Sequence, residues 1–291
     1  MPDQHRKPEN NTRRMNKKLI ALLIGGIAAG ALSSNAQTAT TTPAPAAPAA
    51  APAPAAPAAP SLSITVTPTF ASQYMFRGQR LGGPAFEPSV EADYGNWAVG
   101  VWANTPLADK VAGQSDPEID PYGSYTYSVN DALSIVPGFT WYTYLKAPTN
   151  QGFYRTTFEP NIAVNYTVAG VKLTPKIYYD LVLQGPTYEF DAAYTVPLAS
   201  ISSELDFSGT VGTYYLKSAV NQSVPDTKAW GNYWLLGVSA PFTVSKNGKV
   251  SVGFAYTEGS SAYFKQAHVP KSINTAAVGR GVFTVSYAYT F

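Results

Sequence analysis

Phe283-Thr284-Val285-Ser286-Tyr287-Ala288-Tyr289-Thr290-Phe291 closes the chain, and its reading decides the fold. Period-two alternation puts Phe283, Val285, Tyr287, Tyr289 and Phe291 on one face of a strand, with Thr284, Ser286, Ala288 and Thr290 on the other. A wholly apolar strand face ending on an aromatic suits a transmembrane β-barrel, whose outer face meets lipid and whose aromatics lie at the membrane interface. The expectation is an all-β, antiparallel, up-and-down barrel of the outer-membrane type.

Working back from that strand, alternation can be followed through twelve segments. They span about 63–77, 85–94, 97–106, 118–129, 132–145, 153–167, 171–183, 188–197, 201–216, 230–243, 249–258 and 279–291. Twelve is even, as single-chain bacterial barrels require. The connections after even-numbered segments are short: Gly95-Asn96, Asn130-Asp131, Val168 to Gly170, Leu198 to Ser200 and Ser245 to Gly248. They carry the Gly, Asn and Asp that tight hairpins favour. Those after segments three, nine and eleven are longer, the pattern of short periplasmic turns and long extracellular loops, while those after five and seven are short too, so an uneven extracellular rim is expected. Pro88, Pro137, Pro160 and Pro175 interrupt strands, all on the lipid-facing parity. A secreted two-sheet β domain is the competing architecture. The terminal aromatic and the asymmetric connections argue against it.

Ahead of the barrel lie two segments of different character. Arg13, Arg14, Lys17 and Lys18 precede the apolar run Leu19 to Leu32, and Ser34-Asn35-Ala36 offers a small-x-small cleavage site. Residues 1–36 therefore read as a secretory signal peptide, with Met15 as an alternative start, which implies Sec-dependent export. Residues 37–60 are almost entirely Ala, Pro and Thr and read as a spacer, reaching about 70 Å at about 3.1 Å per residue if fully extended. Residues 61–291 form the barrel. The whole-chain charge of +2 belongs to the leader; beyond residue 60 there are fourteen bases and sixteen acids. A nucleic-acid partner is thereby disfavoured. With no cysteine in the chain, disulfides and lipoprotein acylation are excluded.

Side-chain parity assigns a pore lining. The acids are Glu87, Glu91, Asp93, Glu118, Asp120, Glu159, Asp180, Glu189, Asp191, Glu204 and Asp206; the bases are Arg77, Arg155, Lys172 and Lys176. The excess of acids predicts an interior that favours cations. Glu87, Glu91 and Asp93 are expected beside Arg77, which is read at the end of the first strand. Glu189 and Asp191 are expected to neighbour Glu204 and Asp206 across a short turn. This second group has oxygens of the kind calcium takes, but an electrostatic lining without bound metal or cofactor is the expectation.

Ser72-Gln73-Tyr74-Met75-Phe76-Arg77-Gly78 resembles the S-x-Y-x-F-R-G stretch of the TorF family of outer-membrane porins. Pro84-Ala85, Tyr94 and Trp97 to Asn104 resemble that family's next hairpin, and Glu118-Ile119-Asp120-Pro121-Tyr122 its acidic stretch. The resemblance covers about the first third of the barrel and implies an outer-membrane porin without an assigned solute. The C-terminal strand, through Tyr287, Tyr289 and Phe291, resembles the signal by which the barrel-assembly machinery selects its clients.

Enzymatic readings find little support. His5 precedes the leader's core, and His268 lies in the last long loop with no G-x-S-x-G and no acidic partner nearby. There is no H-E-x-x-H, P-loop or dinucleotide fingerprint. The expected function is a narrow, cation-biased porin for small hydrophilic solutes, with lipid as its surroundings. The alternative is a non-conducting structural or envelope-tethering barrel. If residues 37–60 are only a spacer, their removal leaves barrel function and cell-wall association unchanged. Loss of cell-wall association on truncation, measured by co-sedimentation with peptidoglycan, would instead assign them a tethering role.

Overall fold

The computed structural model describes residues 60–109, 117–147, 149, 154–217, 228–261 and 279–291. The expected leader, all of the spacer but Pro60, and His268 lie outside the described residues. Seventeen β segments follow in order: β1 (Leu62–Thr67), β2 (Thr69–Ala71), β3 (Tyr74–Phe76), β4 (Gln79–Gly82), β5 (Ala85–Phe86), β6 (Ser89–Tyr94), β7 (Trp97–Pro106), β8 (Glu118–Tyr125) and β9 (Tyr127–Asn130). After these come β10 (Leu133–Thr143), β11 (Thr156–Val168), β12 (Val171–Asp180), β13 (Gly185–Leu198), β14 (Ser203–Lys217), β15 (Lys228–Thr243), β16 (Gly248–Ser261) and β17 (Arg280–Thr290).

Fifteen of these make one antiparallel sheet of twelve staves. The first stave is β1 with β2, interrupted at Pro68, which has no N–H to give to the ladder. The second is β5 with β6, interrupted at Glu87-Pro88, and the fourth is β8 with β9, interrupted at Thr126. Each remaining stave is a single strand. The sheet closes on itself where β17 pairs both halves of the first stave: Thr65 faces Thr290, Val66 faces Tyr289, and Phe70 faces Val285. At this seam the Phe291 N–H donates to the Ile64 carbonyl at 2.9 Å. Closure removes the open strand edges that a bilayer could not solvate.

Alternation then sorts the side chains. Trp97, Val99 and Val101 on β7, Tyr188, Phe190 and Tyr194 on β13, and Phe283, Val285 and Tyr287 on β17 all stand exposed on the outer surface. Pro137 and Pro175 share that outer face. An apolar belt repeated around every stave belongs in lipid and not in water. The chain is a closed twelve-stranded barrel of the outer-membrane type. The four-residue turn Leu181 to Gln184 sits among longer connections at one end, while five short connections, Gly95-Asn96, Asp131-Ala132, Ala169-Gly170, Ala199 to Ser202 and Val244 to Asn247, fall at the other. Gly95 and Gly170 adopt positive φ there, as tight turns require.

Three places depart from the sequence reading. The first stave stops at Ala71 and does not run to Arg77. Residues 74–82 form a separate two-stranded sheet, with β3 paired to β4. The seventh segment, read as 171–183, also stops short of Leu183. β12 ends at Asp180, whose Oδ1 accepts the N–H groups of Val182 and Leu183, and the turn it caps buries Leu183.

Tyrosines on the inner wall lie flat over glycines of the neighbouring strand. Tyr122 faces Gly100, Tyr233 faces Gly212, and Tyr214 faces Gly231 in register. A Cβ added at Gly231 would come within 2.1 Å of the Tyr214 ring. Gly231→Val is therefore expected to destabilise the barrel by about 1–3 kcal/mol through overpacking. Gly209→Ala, whose Cβ would first meet Leu236 at 3.4 Å, serves as the tolerated control. The midpoint of the heat-modifiable gel shift measures both.

Candidate functional site: a hairpin folded into the lumen

β3 and β4 are joined by Arg77 and Gly78, with φ of 45° and 74°. Two successive residues of positive φ make the mirror-image turn that suits a two-residue hairpin loop. Glycine adopts it freely, whereas an arginine held there stores about 1–3 kcal/mol of backbone strain. Something must offset that strain.

The hairpin's contacts place it inside the barrel. Tyr74 packs on Trp102 of β7 with ring centroids 5.9 Å apart and donates its hydroxyl to Glu118 of β8 at 2.6 Å. Phe76 meets Tyr142 of β10 edge-on. Arg77 reaches Glu159 of β11 and lies 4.9 Å from the Tyr178 ring centroid on β12. Met75 packs with Val282 of β17, and Gly78 presses against the backbone of Gly259 on β16. A nine-residue hairpin can touch seven staves only from within. Residues Tyr74 to Gly83 are all buried.

The Arg77–Glu159 pair is its anchor. Both guanidinium Nη atoms donate to the two carboxylate oxygens at 2.9 Å, and the Tyr142 hydroxyl donates to Glu159 Oε2 at 2.9 Å. Arg77 and Glu159 are 7% and 1% exposed. The rings of Phe76 and Tyr178 cover the guanidinium. A buried charge pair offsets its desolvation only with this kind of geometry: two parallel charge-assisted bonds and satisfied remaining lone pairs. A second network adjoins it. Glu189 accepts from Lys176, Tyr178 and Tyr233, and Lys176 also pairs with Asp191 at 2.5 Å, whose other oxygen accepts from Thr210.

Burial grades along the barrel. Toward the end of the longer connections, Asn104, Glu118, Tyr142, Glu159, Asp180, Thr187, Tyr214 and Thr257 are buried beneath or around the hairpin. Toward the short turns, Asp93, Lys172, Glu204, Asp206 and Ser251 stay partly exposed on the inner wall. The lumen is thus filled at one end and open at the other.

The residues singled out from the sequence fall as follows. Glu87, Glu118, Asp120, Glu159 and Asp180 are buried inside. Glu91 is held by the Tyr122 hydroxyl at 2.9 Å. Arg77 stands neither on the first strand nor with the Glu87, Glu91 and Asp93 group, because the chain leaves the wall at Ala71. Arg155 is exposed and precedes β11, so it belongs to the rim. The four-acid group on β13 and β14 does not assemble. Around the turn after Leu198, Asp206 faces Thr195 and Glu204 faces Pro197, while Asp191 faces Thr210 and Glu189 faces Gly212. Four residues of strand, about 13 Å, separate the two halves. Tyr287, Tyr289 and Phe291 lie on the sealing strand, the last with its ring 4.9 Å from that of Tyr289. Sequence reasoning missed Arg80, which is buried and bonded to Gln73 at 2.6 Å and to Asp109 at 3.5 Å.

No family model and no curated protein matches the chain. Solved structures similar to it include the NanC porin, at 10% identity over 78% of this chain and 98% of that one, with a TM-score of 0.47. The KdgM porin is similar at 13% identity over 79% and 99%, TM-score 0.46. LpxR from Salmonella typhimurium is similar at 7% identity over 79% and 100%, TM-score 0.44.

Removing one member of the anchor leaves its partner buried and unpaired. Glu159→Gln is expected to cost about 3–5 kcal/mol of unfolding free energy, and Arg77→Met a comparable amount. The double variant should lose less than the sum of the two. A denaturant-unfolding cycle on the refolded barrel measures the coupling, and simple additivity would contradict the anchoring role.

Proposed function

We propose that the chain is a porin-like channel for passive diffusion of small hydrophilic solutes across the outer membrane, with the lumenal hairpin as its constriction. The observation that carries this reading is the graded lumen: a closed, polar-lined barrel filled at one end by a single hairpin and open at the other. With both termini periplasmic, the hairpin enters from the extracellular side and solutes gather in the open periplasmic half. The expected lining, Arg77, Glu87, Glu91, Asp93, Glu159, Lys172, Lys176, Asp180, Glu189, Asp191, Glu204 and Asp206, carries more acids than bases, which supports cation preference by focused potential. In the same reading the chain leaves the cytoplasm by Sec-dependent export, and its last strand is handed to the barrel-assembly machinery. In this reading the Ser72–Gly78 stretch, which resembles the TorF motif, supplies the first half of the constriction.

One observation favours a second reading. The hairpin is anchored by a buried bidentate pair, and a plug held that firmly suits a non-conducting structural barrel.

Planar-bilayer recordings in a salt gradient separate the two. The refolded mature chain should give small, cation-selective steps. Replacing residues 73–83 by a short Gly-Ser turn should enlarge the steps severalfold. Silence from both proteins, with heat-modifiable mobility showing that each has folded, would establish the structural barrel. Equal steps from both would remove the hairpin from the conduction path.

A further inference from the structure

Beneath the base of the hairpin, three buried oxygens lie together with no well-formed hydrogen bond among the described residues. Asn104 on β7 stands directly opposite Glu118 on β8, and Glu118 forms an isolated bridge with Tyr144, just past β10. Opposed residues of adjacent strands share a face, with Cβ atoms about 4.5–5.5 Å apart. Asn104, Glu118 and Tyr144 are 1%, 0% and 1% exposed. Among the described residues, Asn104 Oδ1, Glu118 Oε1 and the Tyr144 hydroxyl make no well-formed hydrogen bond, although Tyr144 and Asp120 both lie close enough to Glu118 to interact with it. The other Glu118 oxygen accepts the Tyr74 hydroxyl, so the hairpin itself covers the site.

The electrostatics call for positive charge at this point. Glu87 and Asp120, both buried, lie within electrostatic reach of Glu118. Among the described residues, the ion pairs involve Arg77, Arg80 and Lys176, and none reaches Glu87, Glu118 or Asp120. A buried carboxylate without a counter-charge is costly. Asn and Tyr side chains left unsatisfied beside it add to that cost, because each has given up its hydration.

We propose that Asn104, Glu118 and Tyr144 form a seat for one monovalent cation of the alkali type, held under the hairpin and locking it in the lumen. A divalent ion fits less well. No three acids converge as a metal cage among the described residues, whereas calcium sites draw several of their ligands from carboxylates. One carboxylate, one amide oxygen and one phenolic oxygen match a single positive charge. The site departs from the metal-free lining expected from the sequence, and it does not depend on conduction.

Rubidium, standing in for potassium, tests the seat directly. Crystals of the refolded chain grown in a rubidium salt should show an anomalous peak coordinated by the three oxygens. A water without anomalous signal there would overturn the proposal. In detergent at constant ionic strength, the unfolding midpoint should rise saturably when potassium replaces N-methylglucammonium. Tyr144→Phe, which keeps the ring and removes one ligand, should weaken the apparent potassium affinity at least tenfold, and Glu118→Gln should abolish the response. If a Glu118→Gln protein fails to fold, the Tyr144→Phe titration and the rubidium map still decide. An identical potassium response in wild type and Tyr144→Phe would refute the seat. Neither readout uses conductance, so the seat and the channel stand or fall separately.

Discussion

In a bilayer each unpaired peptide group costs several kcal/mol, and a sheet can meet that constraint only by closing on itself. The seam between the first stave and β17 satisfies it, with the Phe291 N–H contributing its bond to Ile64. Once the sheet is closed, the period of two leaves each side chain only two directions. Apolar residues go to lipid and the rest go inward. The inward set is then crowded into a space whose dielectric falls as water leaves it. There carboxylates and arginines must find one another, or a substitute for one another.

The hairpin follows from that crowding. Arg77 occupies a backbone conformation that opposes a side chain, yet its guanidinium gains two charge-assisted bonds to Glu159 and two aromatic faces. Glu159 in turn would be a bare buried carboxylate without it. Each partner makes the other's burial tolerable, and their meeting point fixes the hairpin tip against Gly259. At the hairpin's base the same logic produces an imbalance. Tyr74 supplies Glu118 with one hydrogen bond but no charge, and the neighbouring acids meet no basic residue among the described residues.

Most of the barrel was legible in the sequence because its walls separate lipid from polar lumen, so alternation is strong on β7, β11, β13 and β17. Short turns with Gly and Asn then set the pairing. The hairpin was not legible for the opposite reason. Tyr74, Met75 and Phe76 are all buried, so there is no polar face to oppose an apolar one, and the stretch reads as a continuation of the first strand. Arg77-Gly78 directly after the apolar run Tyr74 to Phe76 was the available clue to a two-residue turn. The supposed acidic group on β13 and β14 failed on register alone. Residues equally spaced from the Leu198–Ser203 turn face each other, which puts Asp191 against Thr210 and leaves Glu204 and Asp206 farther down the wall. Arg80 escaped notice because it lies on the returning strand of the same unseen hairpin.

The folding of residues 74–82 into the lumen against the far wall can be read from one proximity. The chain has no native cysteine, so Phe76→Cys with Tyr142→Cys gives a pair that reports only on itself. These two rings meet edge-on between the hairpin and β10, across the lumen from the first stave. In isolated outer membranes, a short bis-thiosulfonate reagent should bridge them nearly completely, shifting the mobility of the unfolded chain. Folded, heat-modifiable barrels that remain unbridged while each single cysteine stays reactive to outside reagents would place the hairpin outside the lumen and contradict the account.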